Sequence, residues 1–375
     1  MFTKPTRTDF PSIKDANFVC REFWLWILVI FLIIFRLYSV RPPYKDNDKI
    51  RLTARVSSEP LVFSDQQRIT IERLKIYLPL YPEINYGDTV VVEGVVSGDK
   101  LKSPKLVKIF ESQNFLFRVR NKIINFYKRS LPEPHSSLIA GVTLGSKSAL
   151  PEKFWADLKK TGTAHVVVAS GMNVTLVAGF LMGILVGILE RKKAILAALA
   201  GVWVYALLAG FEAPIIRAAV MGSVAFSAQA LGRLSNAGRA LLISAAIMLL
   251  IYPFWIYDLG FILSFVATAS LILFEAKVRR LIYFVPSIFK EGFSTSLAAQ
   301  IGVAPIIFLA FGQFNPLSPL INALVLWTVP MMTVIGMLAG VIGVIFPILG
   351  RPILLLAYPM TLWFVTIIGM SIIGI

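Results

Sequence analysis

Cysteine and histidine are nearly missing from this sequence of 375 residues: it holds one cysteine, Cys20, and two histidines, His135 and His165. A single cysteine excludes an intrachain disulfide framework. With so few thiols and imidazoles, a His/Cys zinc site or a His-rich metal cluster is nearly excluded too. Charged residues make up only 15% of the chain, against about a quarter in a soluble domain. No G-x-x-x-x-G-K-[ST] phosphate loop occurs, so the sequence carries no ATP engine. Ser170 does not sit in a G-x-S-x-G elbow, and His165 has no evident orienting carboxylate, so no familiar nucleophilic set fits.

What is abundant is apolar: 57% of the residues are hydrophobic, much of it in long runs. That composition describes a polytopic α-helical membrane protein with one wetter portion. The charge balance is Lys+Arg 37 against Asp+Glu 21, or +16. A basic excess attracts anionic lipid or nucleic acid, but in a membrane protein the positive-inside bias explains it without any ligand.

Residues 1–43 read as a cytoplasmic N-terminus followed by an uncleaved anchor, FWLWILVIFLIIFRLYSV at 23–40. Residues 44–112 change character. Short alternating segments (50–56, 68–78, 88–96, 105–110) rich in β-branched residues and separated by YGD and SGDK turns read as antiparallel strands. Several such strands in so short a stretch are expected to form a small closed barrel of the OB-like kind. OB folds often bind oligonucleotides, and a generic β-module is the competing reading. Charge does not choose between them, because residues 45–111 carry 11 Lys/Arg and 10 Asp/Glu, a net of +1.

Residues 113–162 read as interfacial, amphipathic helices. FLFRVRNKIINFYKR, 115–129, alternates bases with aromatics. Arg118, Arg120, Lys122, Lys128 and Arg129 are expected to contact lipid headgroups or DNA. From 163 to 375 the chain reads as spans at 163–189, 194–211, 214–232, 239–256, 257–275, 292–312, 317–347 and 352–374, the seventh broken near Pro330. Bases fall on every second connector, which predicts the N-terminus inside and the β-module outside.

Polar groups within these spans are costly unless they face a partner or a hydrated route. His165, Ser170, Asn173, Glu212, Arg217, Gln229, Asp258, Gln300 and Asn322 are the uncommon ones. Glu212 and Arg217 are spaced to pair at the outer boundary. Asp258, after YPFWIY, equally fits an interfacial aromatic belt. Gly171 permits a close backbone approach or a broken helix.

Five ordered blocks, at 150–174, 213–222, 252–265, 298–305 and 314–330, resemble the ComEC competence family. LPEKFWADLKKTGTAHVVVASGMNV (150–174) resembles its TG-x-x-H…SG-x-H-V signature through Thr161, Gly162, His165, Ser170, Gly171 and Val174, with Asn173 where the family usually has a second His. APIIRAAVMG (213–222) resembles R-A-x-x-M, and YPFWIYDLGFILSF (252–265) resembles P-x-x-x-x-D-x-G-F-x-L-S-F. Gln300 with Pro305, and the N-A stretch before Pro330, match two later elements. The resemblance implies a channel for single-stranded DNA in the inner membrane during natural transformation, with a path past His165, Ser170, Gly171, Asn173, Arg217, Asp258 and Gln300. It further implies a cytoplasmic ATP-driven motor, an outer DNA receptor and membrane lipids as partners. The family's metallo-β-lactamase-like nuclease is expected to be absent from this chain, its activity lacking or supplied by another protein, so transport and no catalysis is the expectation, with no cofactor and no metal. Three other classes stay open: a small-solute transporter, which predicts an inverted repeat, an intramembrane enzyme on a lipid-linked substrate, which predicts an acid/base pair in one cavity, and a membrane-embedded receptor with no conduction. His165 with Asp258 is the candidate for that pair.

Overall fold

The computed structural model describes residues 13–39, 44–56, 58–63, 65–71, 74–147, 150–167, 171–230, 236–283, 285–311 and 315–373. Among these, helix α1 (Ile13–Ser39) leads into six strands: β1 (Lys49–Arg55), β2 (Leu61–Val62), β3 (Gln66–Ile71), β4 (Leu74–Pro79), β5 (Thr89–Ser97) and β6 (Lys100–Phe110). The helical part follows as α2 (Phe115–Ser130), α3 (His135–Leu144), α4 (Glu152–Lys160), α5 (Ala164–Val167), α6 (Gly171–Leu185), α7 (Arg191–Leu208) and α8 (Ala213–Ala230). After these come α9 (Ala237–Ile251), α10 (Leu259–Leu281), α11 (Ser287–Phe311), α12 (Ser318–Val325), α13 (Thr328–Ile345), α14 (Pro347–Leu355) and α15 (Tyr358–Ile373).

The alternation in the strand segments does produce strands. In β3 and β4 every second side chain is buried, and Ile69, Ile71, Leu74, Ile76 and Leu78 pack with Val90, Val92, Val96 and Leu101 into one core. The sheet, however, is open, in the order β1-β5-β6-β4-β3-β2. The expected closed, OB-like barrel does not form. β2 is two residues long and pairs with β3, while β1 pairs with β5, so among the described residues no ladder joins the two edges. Gln67 fastens the far end of the sheet: its Nε2 donates to the carbonyls of Pro79, Leu80 and Pro82 at 2.8, 3.1 and 2.7 Å, and its Oε1 accepts from Ile84 N at 3.0 Å.

The helical part is apolar enough for a membrane. The stretches Ala164–Leu185, Leu259–Leu281, Lys290–Ala310 and Thr328–Ile345 are each long and apolar enough to cross, and α14 with α15 makes a fifth as a pair bent by 46°. Three expected spans come out short, the anchor at 23–40 among them with an apolar stretch of Trp26–Ser39, and the expected span at 194–211 is not among those long and apolar enough to cross. The apolar stretch of α8 is Ala213–Ala228, and α9 ends at Ile251 where Pro253 opens a tight 3-10 turn. Helices of this size reach about 25 Å, under the roughly 30 Å of a hydrocarbon core. The expected break in 317–347 is present, at Leu326–Trp327, and it divides α12 from α13.

Helix α2 is amphipathic, and its apolar face is used by protein. Phe126 and Tyr127 lie against α13, where Tyr127 Oη donates to Gly336 O at 2.7 Å. A Cβ at Gly340 or Gly343 would collide with the Tyr127 hydroxyl or the Phe126 ring. The small residues therefore set how closely the two helices approach.

Candidate functional site

The N-terminal ends of α6, α8 and α10 converge on Arg217. Its Nε donates to Ser264 Oγ of α10 at 2.6 Å, its Nη1 lies 3.4 Å from Met221 Sδ, and its guanidinium carbon is 5.9 Å from the centre of the Phe265 ring. Gly171 opens α6 on the other side, where an added Cβ would lie 3.2 Å from Arg217 Nη2 and 3.3 Å from Ala218 Cβ. Gly171 thus allows the close approach expected of it. Three separated sequence blocks meet here: the one that Gly171 opens, RAAVM and the LSF of 263–265. Among the described residues no carboxylate pairs with Arg217. A guanidinium carries five N–H donors, and a half-buried one without a counter-ion is suited to an anion.

Asn173 turns the other way. It is fully buried, and its Nδ2 donates to Val142 O of α3 at 2.5 Å. That bond belongs to a larger pattern. A helix leaves its last carbonyls without intrahelical partners, and the end of α3 is buried, so each needs a donor. Gly145, left-handed at φ 70, places its N–H on the carbonyls of Ala140 and Gly141. Val142 O takes Asn173, Thr143 O takes Tyr205 Oη at 3.0 Å, and Leu144 O takes Arg120 Nη2 at 3.3 Å. Four elements therefore cap one helix end. The position calls for an N–H donor, which Asn supplies and a His also could.

His165 is exposed and bonds locally, its Nδ1–H donating to Gly162 O at 3.0 Å. Gly162, at φ +72, ends the turn after α4, where Thr161 and Thr163 join hydroxyls at 2.8 Å. Gln300 reaches this turn indirectly: its Nε2 donates to Asn315 O at 3.3 Å, and Asn315 Nδ2 donates to Lys160 O at 2.9 Å. Asp258 caps α10 by accepting from Phe261 N at 2.7 Å and is exposed. Ser170 lies outside the described residues, as does the side chain of Gln229. Of the expected path residues, then, Gly171 and Arg217 share one junction, and His165 and Gln300 belong to a neighbouring turn. Asn173 and Asp258 each hold a helix end.

Two expectations fail on charge. Glu212 pairs not with Arg217 but with Lys147, at 2.5 Å, because the carboxylate follows the turn toward the loop after α3. Arg120 is not an exposed contact for lipid or DNA. It is 2% exposed and bridges Glu59 at 2.7 Å, while its Nε donates to Leu208 O at 2.8 Å. The Glu59 carboxylate also accepts from Ser146 Oγ at 2.9 Å. This ion pair ties the sheet module to the helices. The edge contact of Tyr86 with Phe117 at 4.9 Å and Arg55 over the Phe117 ring at 4.3 Å reinforce it. Arg118, Lys122, Lys128 and Arg129 are exposed.

Sequence reading missed Ser264, Glu59, Ser146 and Tyr205 as partners. Helical spacing offered one signal: Arg120 falls on the same face as Phe117, Ile123, Ile124 and Tyr127, a buried face. The others meet partners 47 to 87 residues away, and local pattern carries no such information.

The fold and these junctions define a polytopic helical membrane protein with a small open sheet attached by a buried ion pair. The chain belongs to the Competence protein family, whose model matches residues 142–371, more than half of its length; this is the ComEC-type family that the five blocks resemble. It is similar to ComE operon protein 3 of Bacillus subtilis, 27% identical over 236 residues, covering 62% of this chain and 30% of that protein. It is also similar to Competence protein ComA of Neisseria gonorrhoeae, 28% identical over 221 residues, covering 55% of this chain and 30% of that protein. The match thus spans under a third of the length of either relative. No solved structure matches the chain.

Proposed function

We propose that this chain takes part in DNA uptake as a channel that passes single-stranded DNA across the cytoplasmic membrane during natural transformation. In this reading residues 44–112 form the outer module, 113–162 the interfacial connection and 163–375 the channel. An ATP-driven motor acts on the inner side and a DNA receptor on the outer side. Membership in the Competence protein family supports the role. The observation that carries the mechanism is Arg217, bonded to Ser264 and facing Gly171, with no carboxylate partner among the described residues. A cation at the converging N-terminal ends of helices is a place where passing phosphates are stabilised both by charge and by helix dipoles.

The test is uptake of end-labelled duplex DNA in the source cell with and without the gene, with label counted separately outside and inside the cytoplasm. The reading expects loss of the gene to leave DNA bound outside and absent from the cytoplasm. Unchanged cytoplasmic entry overturns it.

A further inference from the structure

The ends of α10 and α11 frame a basic cleft apart from the Arg217 junction. An open cleft of about 500 Å³ is lined by Glu275, Ala276, Arg279, Arg280, Tyr283 and Lys290. Its cations come from two helices. Arg279 and Arg280 stand in the last turn of α10, and Lys290 opens the apolar stretch of α11. Because the spans Leu259–Leu281 and Lys290–Ala310 both end here, the cleft sits at headgroup depth in a bilayer.

Two bland explanations exist for the cations. The negative end of the α10 dipole attracts bases, and the positive-inside bias places bases on this connector. Neither accounts for cations of two helices lining one concavity with a single carboxylate. None of the three cations forms an ion pair among the described residues, whereas in the first turn of α7 Lys193 pairs with Glu190 at 3.2 Å. The neighbouring surface identifies the occupant. Directly toward the membrane centre, α10 exposes Ile272 (44%) and Leu273 (62%) one to two turns from the cleft. At the mouth Tyr283 is exposed, the placement of an interfacial aromatic. A ligand that meets cations above and an exposed aliphatic stripe below carries an anionic head and an acyl chain. We propose that this cleft binds an anionic phospholipid, its phosphate held by Arg279, Arg280 and Lys290 and its acyl chain lying along Ile272, Leu273 and Ala276. Basic pockets at the ends of adjacent spans hold lipid phosphates for this reason.

The experiment uses the full chain purified in neutral detergent and titrated with phosphatidylglycerol or phosphatidylcholine, with retained lipid counted by native mass spectrometry. The unmodified protein is expected to retain phosphatidylglycerol preferentially. Arg279→Gln/Arg280→Gln/Lys290→Gln should lower that retention by about tenfold or more, given the attraction each base exerts on an anionic headgroup. Arg191→Gln/Lys192→Gln, in the basic first turn of α7, should leave it unchanged. Thermal unfolding checks that each variant is folded, and if the triple variant is not, Arg280→Gln alone carries the test with a smaller loss. Equal retention by the triple variant, an equal loss in the connector variant, or no preference over phosphatidylcholine each overturns the proposal. Displacement of the lipid by inorganic phosphate or by a short single-stranded oligonucleotide overturns it as well, by assigning the cleft to a free anion or to nucleic acid.

Discussion

Arg217 reaches across from α8 and donates its Nε–H to the hydroxyl of Ser264 on α10 at 2.6 Å, while its Nη2 faces the backbone of Gly171. The bond fixes the plane of the guanidinium and leaves donors for a passing anion. A lysine has one ammonium on a flexible stem and cannot hold Ser264 and present a planar fork together. Arg217→Lys is therefore expected to keep normal membrane levels and lose most DNA entry. Ser264→Ala, which removes a hydrogen bond to a charged group worth about 1.5–3 kcal/mol, should give an intermediate loss. Uptake per molecule of membrane protein checks both.

Gly171 has room for little. A Cβ there meets Arg217 Nη2 and Ala218 Cβ at 3.2 and 3.3 Å, so a methyl group needs shifts of a few tenths of an ångström and a larger side chain needs α6 and α8 to part. Gly171→Ala should retain partial uptake and Gly171→Leu should abolish it. Full activity in the leucine variant contradicts the close-approach account.

The capping role of Asn173 makes a different prediction. Asn173→His keeps a donor for Val142 O and should preserve stability and uptake. Asn173→Leu strands a buried carbonyl at a cost of about 1–3 kcal/mol, read as a lower thermal midpoint. Tyr205→Phe, which strands Thr143 O, should act alike.

Arg120 and Glu59 behave as a buried pair. Arg120→Ala leaves the Glu59 carboxylate uncompensated, a loss of about 3–5 kcal/mol, whereas Arg118→Ala or Lys122→Ala on the exposed face should change stability little. Limited proteolysis between the sheet and α2 reads the difference. Glu59→Gln/Arg120→Met should recover part of the loss, since two uncharged partners leave no buried ion.

Asp88 makes the sheet module pH-sensitive. Burial pushes its carboxyl above the usual carboxylate range, against the opposing hydrogen bonds from the N–H groups of Asn85 and Ser112. A raised folded value means the folded state holds this proton more tightly than the unfolded chain. The stability it contributes is present in acid, below the ordinary carboxylate range, and is lost as pH rises through the raised value. Amide exchange across 85–112, corrected for intrinsic rates, should quicken over that window. Asp88→Asn should flatten the response.

The membrane class, the strand segments, the close approach at Gly171 and the break before α13 were all readable from pattern, because each follows from local periodicity or from what glycine and proline permit. What escaped depends on distant partners. The Glu212–Arg217 spacing suggested a pair, yet Lys147 from another loop takes the carboxylate. Asn173 looked like a polar lining residue because its neighbours are apolar, but the carbonyl it serves lies 31 residues upstream. Barrel closure failed on the length of β2, where strand alternation says nothing about how far a ladder runs. Arg120 was misassigned by its charge although its helical position pointed inward.

The most direct test of the channel reading compares Arg217→Gln with the unmodified protein in the compartment-resolved DNA uptake assay, at matched membrane levels. The account predicts that labelled DNA still gathers outside and that cytoplasmic label falls by about tenfold or more, the effect of losing a charge that contacts phosphate. Cytoplasmic label equal to that of the unmodified protein contradicts it.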